Sequence, residues 1–340
     1  MTDFIRKNIL QLTPYSSARD EFEGEASIFL DANENPYPSS YNRYPDPLQK
    51  KLKERLGVLK GVPSSQIFLG NGSDEAIDLL IRACCEPYRD SILITTPTYG
   101  MYKVCADVNA VNIQQIPLLP DFALNAEALI GSVTSSTKII FLCSPNNPSG
   151  NLLEREKIEL IIQNFKGLVV IDEAYIDFTD DPGFLPELSK YPNLVILQTL
   201  SKAWGLAGLR LGMCFAAKEV IRVLNKIKYP YNINVLTQEI VYDKLLTEEQ
   251  TKSRVETIVQ EREKLKQTLV TLKPVIKVYP SDANFLLVKF ENAKTVYQTL
   301  LQKGIVVRDR SSVQGCEDCL RITVGTPTEN ELLVNALKTL

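Results

Sequence analysis

The 340 residues predict an α/β fold: a large domain on a mostly parallel sheet flanked by helices, then a smaller α+β C-terminal domain. Three observations carry this. Strand candidates at Ser91–Thr95, Lys138–Cys143, Gly167–Ile171, Leu194–Thr199 and Leu211–Phe215 are mostly continuous apolar runs, as strands covered on both faces require. Helical segments alternate with them, and such crossovers are how parallel strands are joined. After about Tyr231 the pattern changes: a long helix (Val255, Ile258, Val259, Leu265, Leu269, Leu272) leads into strands near Phe285–Phe290, Ile305–Arg308 and Leu320–Val324.

The elements follow in order. Residues 1–47 are polar and rich in proline (Pro14, Pro36, Pro38, Pro45, Pro47) and read as an arm and loops that need another surface to lie on. Leu48, Leu52 and Leu56 recur at i, i+4 and open a helix. Ser73 to Cys85 is a second helix, with Ser73 expected as N-cap and Asp74 and Glu75 in the first turn. The last helix is expected to open on the capping box Thr328-Glu329-Asn330-Glu331. The expected division is an arm over residues 1–30, a large domain over 31–235 and a small domain over 236–340.

Composition narrows the chemistry. With 44% apolar and 23% charged residues the chain can bury a sizeable core. A net charge of -3 gives no reason to expect nucleic acid or an anionic membrane as partner. No apolar run approaches the ~20 residues that span a bilayer, and MTDFIRKNILQL has no continuous apolar segment of a secretory signal. Seven cysteines in such a chain are expected as reduced thiols, and a cytoplasmic location follows. There is no histidine, which removes Ser-His-Asp and Cys-His catalysis. Cys316-Glu317-Asp318-Cys319 has no second Cys pair or His to complete a metal site, so no metal is expected. Acid–base work falls to Lys, Tyr, Asp, Glu or Cys.

The segment Ser201-Lys202-Ala203-Trp204-Gly205-Leu206-Ala207-Gly208-Leu209-Arg210 offers an amine, a hydroxyl and a guanidinium to one small site. An amine forms a Schiff base with an aldehyde, and the other two hold a phosphate; pyridoxal phosphate carries both groups. In an open α/β sheet ligands sit at the carboxyl ends of strands. Asn147, Asp172, Tyr175 and Lys202 all lie just past such ends. A buried Asp172 would keep a pyridine nitrogen protonated. Asn147 and Tyr175 can donate to a phenolic oxygen. Ser73 at a helix N-terminus, Ser201 and Arg210 suit a phosphate, and Tyr99 suits a ring face. Taken singly, each has an ordinary structural reading: Asp172-Glu173 as a helix cap, Asn146-Asn147-Pro148 as a turn, Ser201-Lys202 as a solvated turn. Asp74 and Glu75 also put negative charge near the helix end assigned to phosphate. Gly70-Asn71-Gly72 lacks a third glycine, which argues against a dinucleotide site.

The motifs Asn-Pro-Tyr-Pro and Arg43-Tyr44-Pro45-Asp46-Pro47, Gly-Asn-Gly-Ser-Asp-Glu, Pro-Thr-Tyr-Gly-Met-Tyr, Cys-Ser-Pro-Asn-Asn-Pro-Ser-Gly, Asp-Glu-Ala-Tyr, Thr-Leu-Ser-Lys-Ala-Trp-Gly-Leu-Ala-Gly-Leu-Arg and Leu-Arg-Ile-Thr-Val-Gly-Thr occur in that order. Together they resemble the fold-type-I, class II pyridoxal-phosphate-dependent aminotransferases, and within them the histidinol-phosphate group. The resemblance runs from Leu12-Thr13-Pro14-Tyr15 to Thr326, departing only in Trp204 for the commoner Phe and Ser149 for Thr.

The resemblance implies a seven-stranded sheet in a cofactor-binding large domain. It makes Lys202 the Schiff-base lysine, Asp172 the pyridinium partner, and Asn147 and Tyr175 the ring-oxygen ligands. Ser73, Ser201 and Arg210 take the cofactor phosphate, with Asp74 and Tyr99 beside the cofactor. Tyr44 reaches the partner's cofactor in a homodimer. Arg321 grips the carboxylate, Arg308 and Tyr15 contact the substrate phosphate, and Asn33 lies near the substrate. Lys202, Asp172 and Tyr175 are the catalytic set. The implied reaction is ping-pong transamination of L-histidinol phosphate with 2-oxoglutarate, giving 3-(imidazol-4-yl)-2-oxopropyl phosphate and L-glutamate in histidine biosynthesis. The alternatives are a broad aromatic aminotransferase or a decarboxylase of a phosphorylated amino acid. A ligand-sensing transcription factor is disfavoured, because residues 1–47 offer no helix-turn-helix or basic patch.

Overall fold

The structure, a computed structural model, describes residues 4–16, 24 and 27–340. Strands β1 (Ile67–Asn71), β2 (Ser91–Thr96), β3 (Asn112–Pro117), β4 (Thr137–Cys143), β5 (Leu168–Asp172), β6 (Leu194–Thr199) and β7 (Leu211–Ala216) form a seven-stranded sheet. Its order is β1-β7-β6-β5-β4-β2-β3. β2, β3, β4, β5 and β6 pair in parallel, and β7 runs antiparallel to both its neighbours. The sheet is mostly parallel, as expected.

Alternation along each strand explains the continuous apolar runs. Ile140 and Leu142 of β4 face one core, while Ile139, Phe141 and Cys143 face the other. The first core is closed by helices α2 (Lys50–Lys60), α5 (Ala126–Gly131) and α6 (Arg155–Asn164). The second is closed by α3 (Ser73–Cys84), α4 (Met101–Val108) and α7 (Lys218–Ile227). The chain start belongs to that second core: helix α1 (Lys7–Gln11) buries Ile9, and Ile5 lies beside it. The Arg6 N–H donates to the Ala83 carbonyl at 2.9 Å, and its guanidinium pairs with Glu86 at 3.1 Å. This part of the arm therefore rests on its own chain.

Further along come α8 (Val235–Lys244), α9 (Glu248–Leu269), β8 (Val275–Val278), β9 (Phe285–Phe290), α10 (Ala293–Gln302), β10 (Arg308–Asp309), β11 (Cys319–Thr323) and α11 (Pro327–Leu337). The strands make a four-stranded antiparallel sheet in the order β10-β11-β9-β8. Leu265 and Leu269 of α9, Val296 and Leu300 of α10, and Leu333 and Leu337 of α11 pack on its Leu286, Val288 and Leu320 face.

Several local expectations are corrected. Ser73 is the first helical residue rather than the cap; Gly72 takes that place, with no capping side chain. The capping box of α11 is Thr326 with Glu329, two residues earlier than expected, because Pro327 fixes the first helical position. Leu272 lies beyond the end of α9. Of the strand expected over Ile305–Arg308 only Arg308 lies in a strand, and the Ile305 N–H still donates back to the Leu300 carbonyl of α10.

Candidate active site

The strands β4, β5 and β6 end side by side at Cys143, Asp172 and Thr199. Beyond those ends opens a cavity of about 140 Å³, the usual ligand position in such sheets. Ser73, Asp74, Tyr99, Asn147, Asp172, Tyr175, Ser201, Lys202 and Arg210 all line it. Gly72, Cys143, Ala174, Thr199 and Ala207 complete the wall; each lies inside one of the motifs quoted above, but none was singled out as a site residue.

Asp172 is 2% exposed and its hydrogen-bond partners are neutral. The Tyr102 hydroxyl donates to its Oδ2 at 2.8 Å and the Ala174 N–H to its Oδ1 at 3.2 Å. Burial is the larger influence and pushes its pKa up to about 6 against these two bonds. Such a carboxylate is short of a cation. Tyr102 is wholly buried, stacked on Phe141 with ring centroids 4.9 Å apart and edge-on to Tyr99 at 5.6 Å. Sequence reasoning missed it as a site residue, because only the packing of α4 against β5 brings its hydroxyl to Asp172.

Lys202 faces the cavity with its Nζ 5.7 Å from the centroid of the Tyr175 ring. Its side chain is open to the cleft, yet its amine is crowded enough that desolvation, then the charge of Arg321, lowers its pKa. Asp172 and Asp74 oppose that shift. The Asn147 side chain donates to the Tyr175 hydroxyl at 3.3 Å. Burial raises the Tyr175 pKa, while Arg321 and the Asn147 bond pull the other way.

At the opposite wall, the N-terminus of α3 meets Arg210. Gly72 has φ 79° and ψ 164°, a conformation open essentially to glycine alone. A Cβ there would stand 2.8 Å from Arg210 Nη2. The Gly72 N–H donates to the Arg210 carbonyl at 2.7 Å, which ties the two segments. The acidic first turn does not spoil this end. Asp74 accepts from the Tyr99 hydroxyl at 3.0 Å. Glu75 turns back to the Asn71 N–H and to Asn232, whose Nδ2 lies 3.1 Å from both carboxylate oxygens. The free N–H groups of α3, Ser73, Ser201 and Arg210 are thus left for an anion.

Arg321 enters from the second sheet. Its Nη1 donates to Asn147 Oδ1 at 2.6 Å, and its guanidinium lies 5.2 Å from the Phe285 ring centroid. Arg308 stands directly opposite Arg321 in the β10–β11 register. Tyr15, Asn33 and Tyr44 are not brought to the cavity within this chain. All three are exposed, and Tyr44 stacks on Tyr231 at 4.4 Å. A larger groove of about 680 Å³ runs past Trp204, Asp177 and Arg262, but its lysines are tied up, Lys60 with Asp177 and Lys252 with Glu248. Chemistry rather than volume selects the smaller cavity.

A cleft-facing amine, a buried carboxylate and an anion cradle at the strand ends of this α/β sheet define a class of enzyme. The chain belongs to the aminotransferase class I and II family, whose model matches residues 29–337. Histidinol-phosphate aminotransferase from Parabacteroides distasonis is 60% identical to it over 338 residues, covering 99% of this chain and 98% of the relative. The histidinol-phosphate aminotransferase of Clostridium acetobutylicum superposes with a TM-score of 0.81 at 27% identity, over 87% of this chain and 90% of that one. L-threonine-O-3-phosphate decarboxylase from Porphyromonas gingivalis follows at 0.75 and 26% identity, over 87% and 90%.

Proposed function

We propose that this chain is a pyridoxal-phosphate-dependent aminotransferase that interconverts L-histidinol phosphate and 2-oxoglutarate with 3-(imidazol-4-yl)-2-oxopropyl phosphate and L-glutamate in histidine biosynthesis. The observation that carries the cofactor is the pairing of a buried Asp172, lacking a cation, with the glycine-dependent cradle of Gly72 and Arg210. A pyridinium satisfies the first and a phosphate the second. When bound, pyridoxal phosphate supplies an aldehyde for amines and a ring that takes up the electron pair released at Cα.

The residues divide the work. Ser73, Ser201 and Arg210 hold the phosphate; Tyr99 covers the ring face, anchored through Asp74. Asp172 keeps the ring nitrogen protonated and is itself held by Tyr102. Asn147 and Tyr175, already bonded to each other, orient the ring oxygen. Lys202 is the nucleophile and proton carrier: its lowered pKa puts more of it in the neutral, basic form near neutral pH. Arg321 and Arg308 suit the substrate anion, a carboxylate in one half-reaction and a phosphate in the other. The placing of Arg308 opposite Arg321 beside the cavity and the full-length identity to a relative of that name support this substrate pair over decarboxylation.

The proposed division is an arm over 1–30, a large domain over 31–235 and a small domain over 236–340, in a cytoplasmic homodimer. The exposed aromatics Tyr15, Tyr37, Tyr41 and Tyr44 support a covering partner subunit, with Tyr44 reaching the partner's cofactor and Tyr15 and Asn33 the substrate. Incubation of the cofactor-loaded protein with histidinol phosphate and 2-oxoglutarate is expected to yield glutamate, and Lys202→Ala to abolish it. Carbon dioxide from threonine phosphate, with no glutamate, would establish the decarboxylase instead.

A further inference from the structure

The face of the second sheet that meets the cavity carries more positive charge than two arginines. Arg308 lies opposite Arg321 and Asp309 opposite Leu320. Leu320 is buried in the small core, so Arg308 and Arg321 share the other face. The Arg310 N–H donates to the Cys319 carbonyl at 2.9 Å, which continues the pairing one step past β10. Arg310, two residues beyond Arg308, therefore falls on the same face.

Some arginines are neutralised by carboxylates, Arg82 by Asp78, Arg155 by Asp181 and Arg262 by Glu263. Among the described residues Arg308, Arg310 and Arg321 have no carboxylate partner. Asp309, the nearest in sequence, accepts from the Ser311 N–H at 2.8 Å. Arg310 Nε and Ser311 Oγ are buried with no hydrogen-bond partner. A buried donor without an acceptor is costly and in native proteins marks a ligand or water position. Burial, then Arg321 and Arg308, depresses the Arg310 pKa, while Cys316 and, to a smaller extent, the phenol of Tyr175 act the other way. Its field thus reaches the wall of the cofactor cavity.

We infer that Arg310 is a third guanidinium of the substrate-anion site, with Ser311 beside it, and that it selects a phosphomonoester over a carboxylate. The chemistry is one of count. A carboxylate has one charge and two oxygens, which a single guanidinium fork satisfies. A phosphomonoester carries nearly two charges and three terminal oxygens, enough for further donors. Of the two carboxylates of 2-oxoglutarate, the one that takes the place of the phosphate needs no more than Arg321 and Arg308, whereas the phosphate draws on Arg310 as well.

This inference rests on the proposed transamination, and its test separates the two. With the cofactor-loaded enzyme, Arg310→Gln is expected to raise KM for histidinol phosphate about tenfold or more. KM for 2-oxoglutarate should stay within about threefold, and kcat within about twofold. Arg310→Lys, which keeps the charge but loses the fork, should fall between. An independent arm titrates the same holoenzymes calorimetrically with inorganic phosphate, where Arg310→Gln should weaken binding by a similar factor. Equal changes in both KM values, or unchanged phosphate affinity, would overturn the assignment. Phosphate binding that depends on Arg310, in a wild type that makes no glutamate, would uphold this residue's role and sink the transamination reading.

Discussion

Asp172 and Glu173 are neighbouring carboxyls, each 2% exposed, yet they serve different ends. Asp172 points to the cavity; Glu173 points inward, accepting from the Phe184 N–H at 2.5 Å and from Gln198 at 2.9 Å. Burial raises Asp172 to about 6 and Glu173 to about 7. The unfolded chain releases both protons above about pH 4, while the folded, cofactor-free protein keeps them into the pH 6–7 range. The folded state then binds more protons than the unfolded one, so stability falls as pH rises through this window. The loss is on the order of 3 kcal/mol per carboxyl. With no histidine in the chain, no other side chain titrates there at its ordinary pKa. Thermal unfolding of the cofactor-free protein should therefore give a lower Tm at pH 7.5 than at pH 5. Asp172→Asn should remove part of the slope, and pyridoxal phosphate should remove the same part by giving Asp172 a cation. A Tm that stays flat or rises over this range would contradict the argument. At this scale Asp172, Lys202, Asn147 and Tyr175 were legible, because each follows a strand end that the apolar runs reveal. Tyr102 and Arg310 were not: Tyr102 reaches Asp172 only across the packing of a helix on a strand, and Arg310 lies one step past the two residues of β10.

Elements are set as much by what approaches them as by their own propensities. β1 escaped the strand reading because Gly70 and Asn71 make up its end, and β3 because three of the four residues in its Asn112-Ile113-Gln114-Gln115 run are polar at the sheet edge. Both exist because a neighbour supplies the pairing, β7 for the first and β2 for the second. The start of α3 shows the same logic in reverse. It lacks a capping side chain, and its acidic first turn is drawn off by Tyr99 and Asn232, leaving its N–H groups for a ligand. Gly72→Ala tests this, since the new Cβ would clash with Arg210 in a backbone conformation that costs about 1–3 kcal/mol for alanine. Spectrophotometric titration with pyridoxal phosphate should show affinity down by about tenfold or more. Gly61→Ala is the control. It also sits at positive φ, 66°, but nothing lies within 4 Å of its Cβ, so cofactor affinity should be unchanged. Equal losses in both variants would mean that strain alone, and not the cradle, is at work.

At the scale of the whole molecule, Tyr15, Asn33 and Tyr44, which the resemblance places at the site, lie away from the cavity within this chain. The cavity is walled by the large sheet and reached by Arg321 from the small one, yet Tyr44 stays on the surface, 51% exposed and stacked on Tyr231. Ile28 and Leu30, both mostly exposed, lie in the same stretch of chain. An apolar and aromatic surface of this kind marks an interface, and a two-fold partner would place each Tyr44 near the other subunit's site. The proposed homodimer then makes a prediction that no monomer can meet. Lys202→Ala lacks the reacting amine in both of its sites, and Tyr44→Ala lacks the reaching phenol in both. Unfolding and refolding an equal mixture makes about half the dimers mixed. In a mixed dimer, one site has Lys202 from the Tyr44→Ala subunit and Tyr44 from the Lys202→Ala subunit, so it is intact. Activity should rise to about a quarter of wild type, above the average of the two variants assayed apart, and size-exclusion light scattering should give twice 38.2 kDa. If mixing yields only that average, Tyr44 serves its own subunit or none.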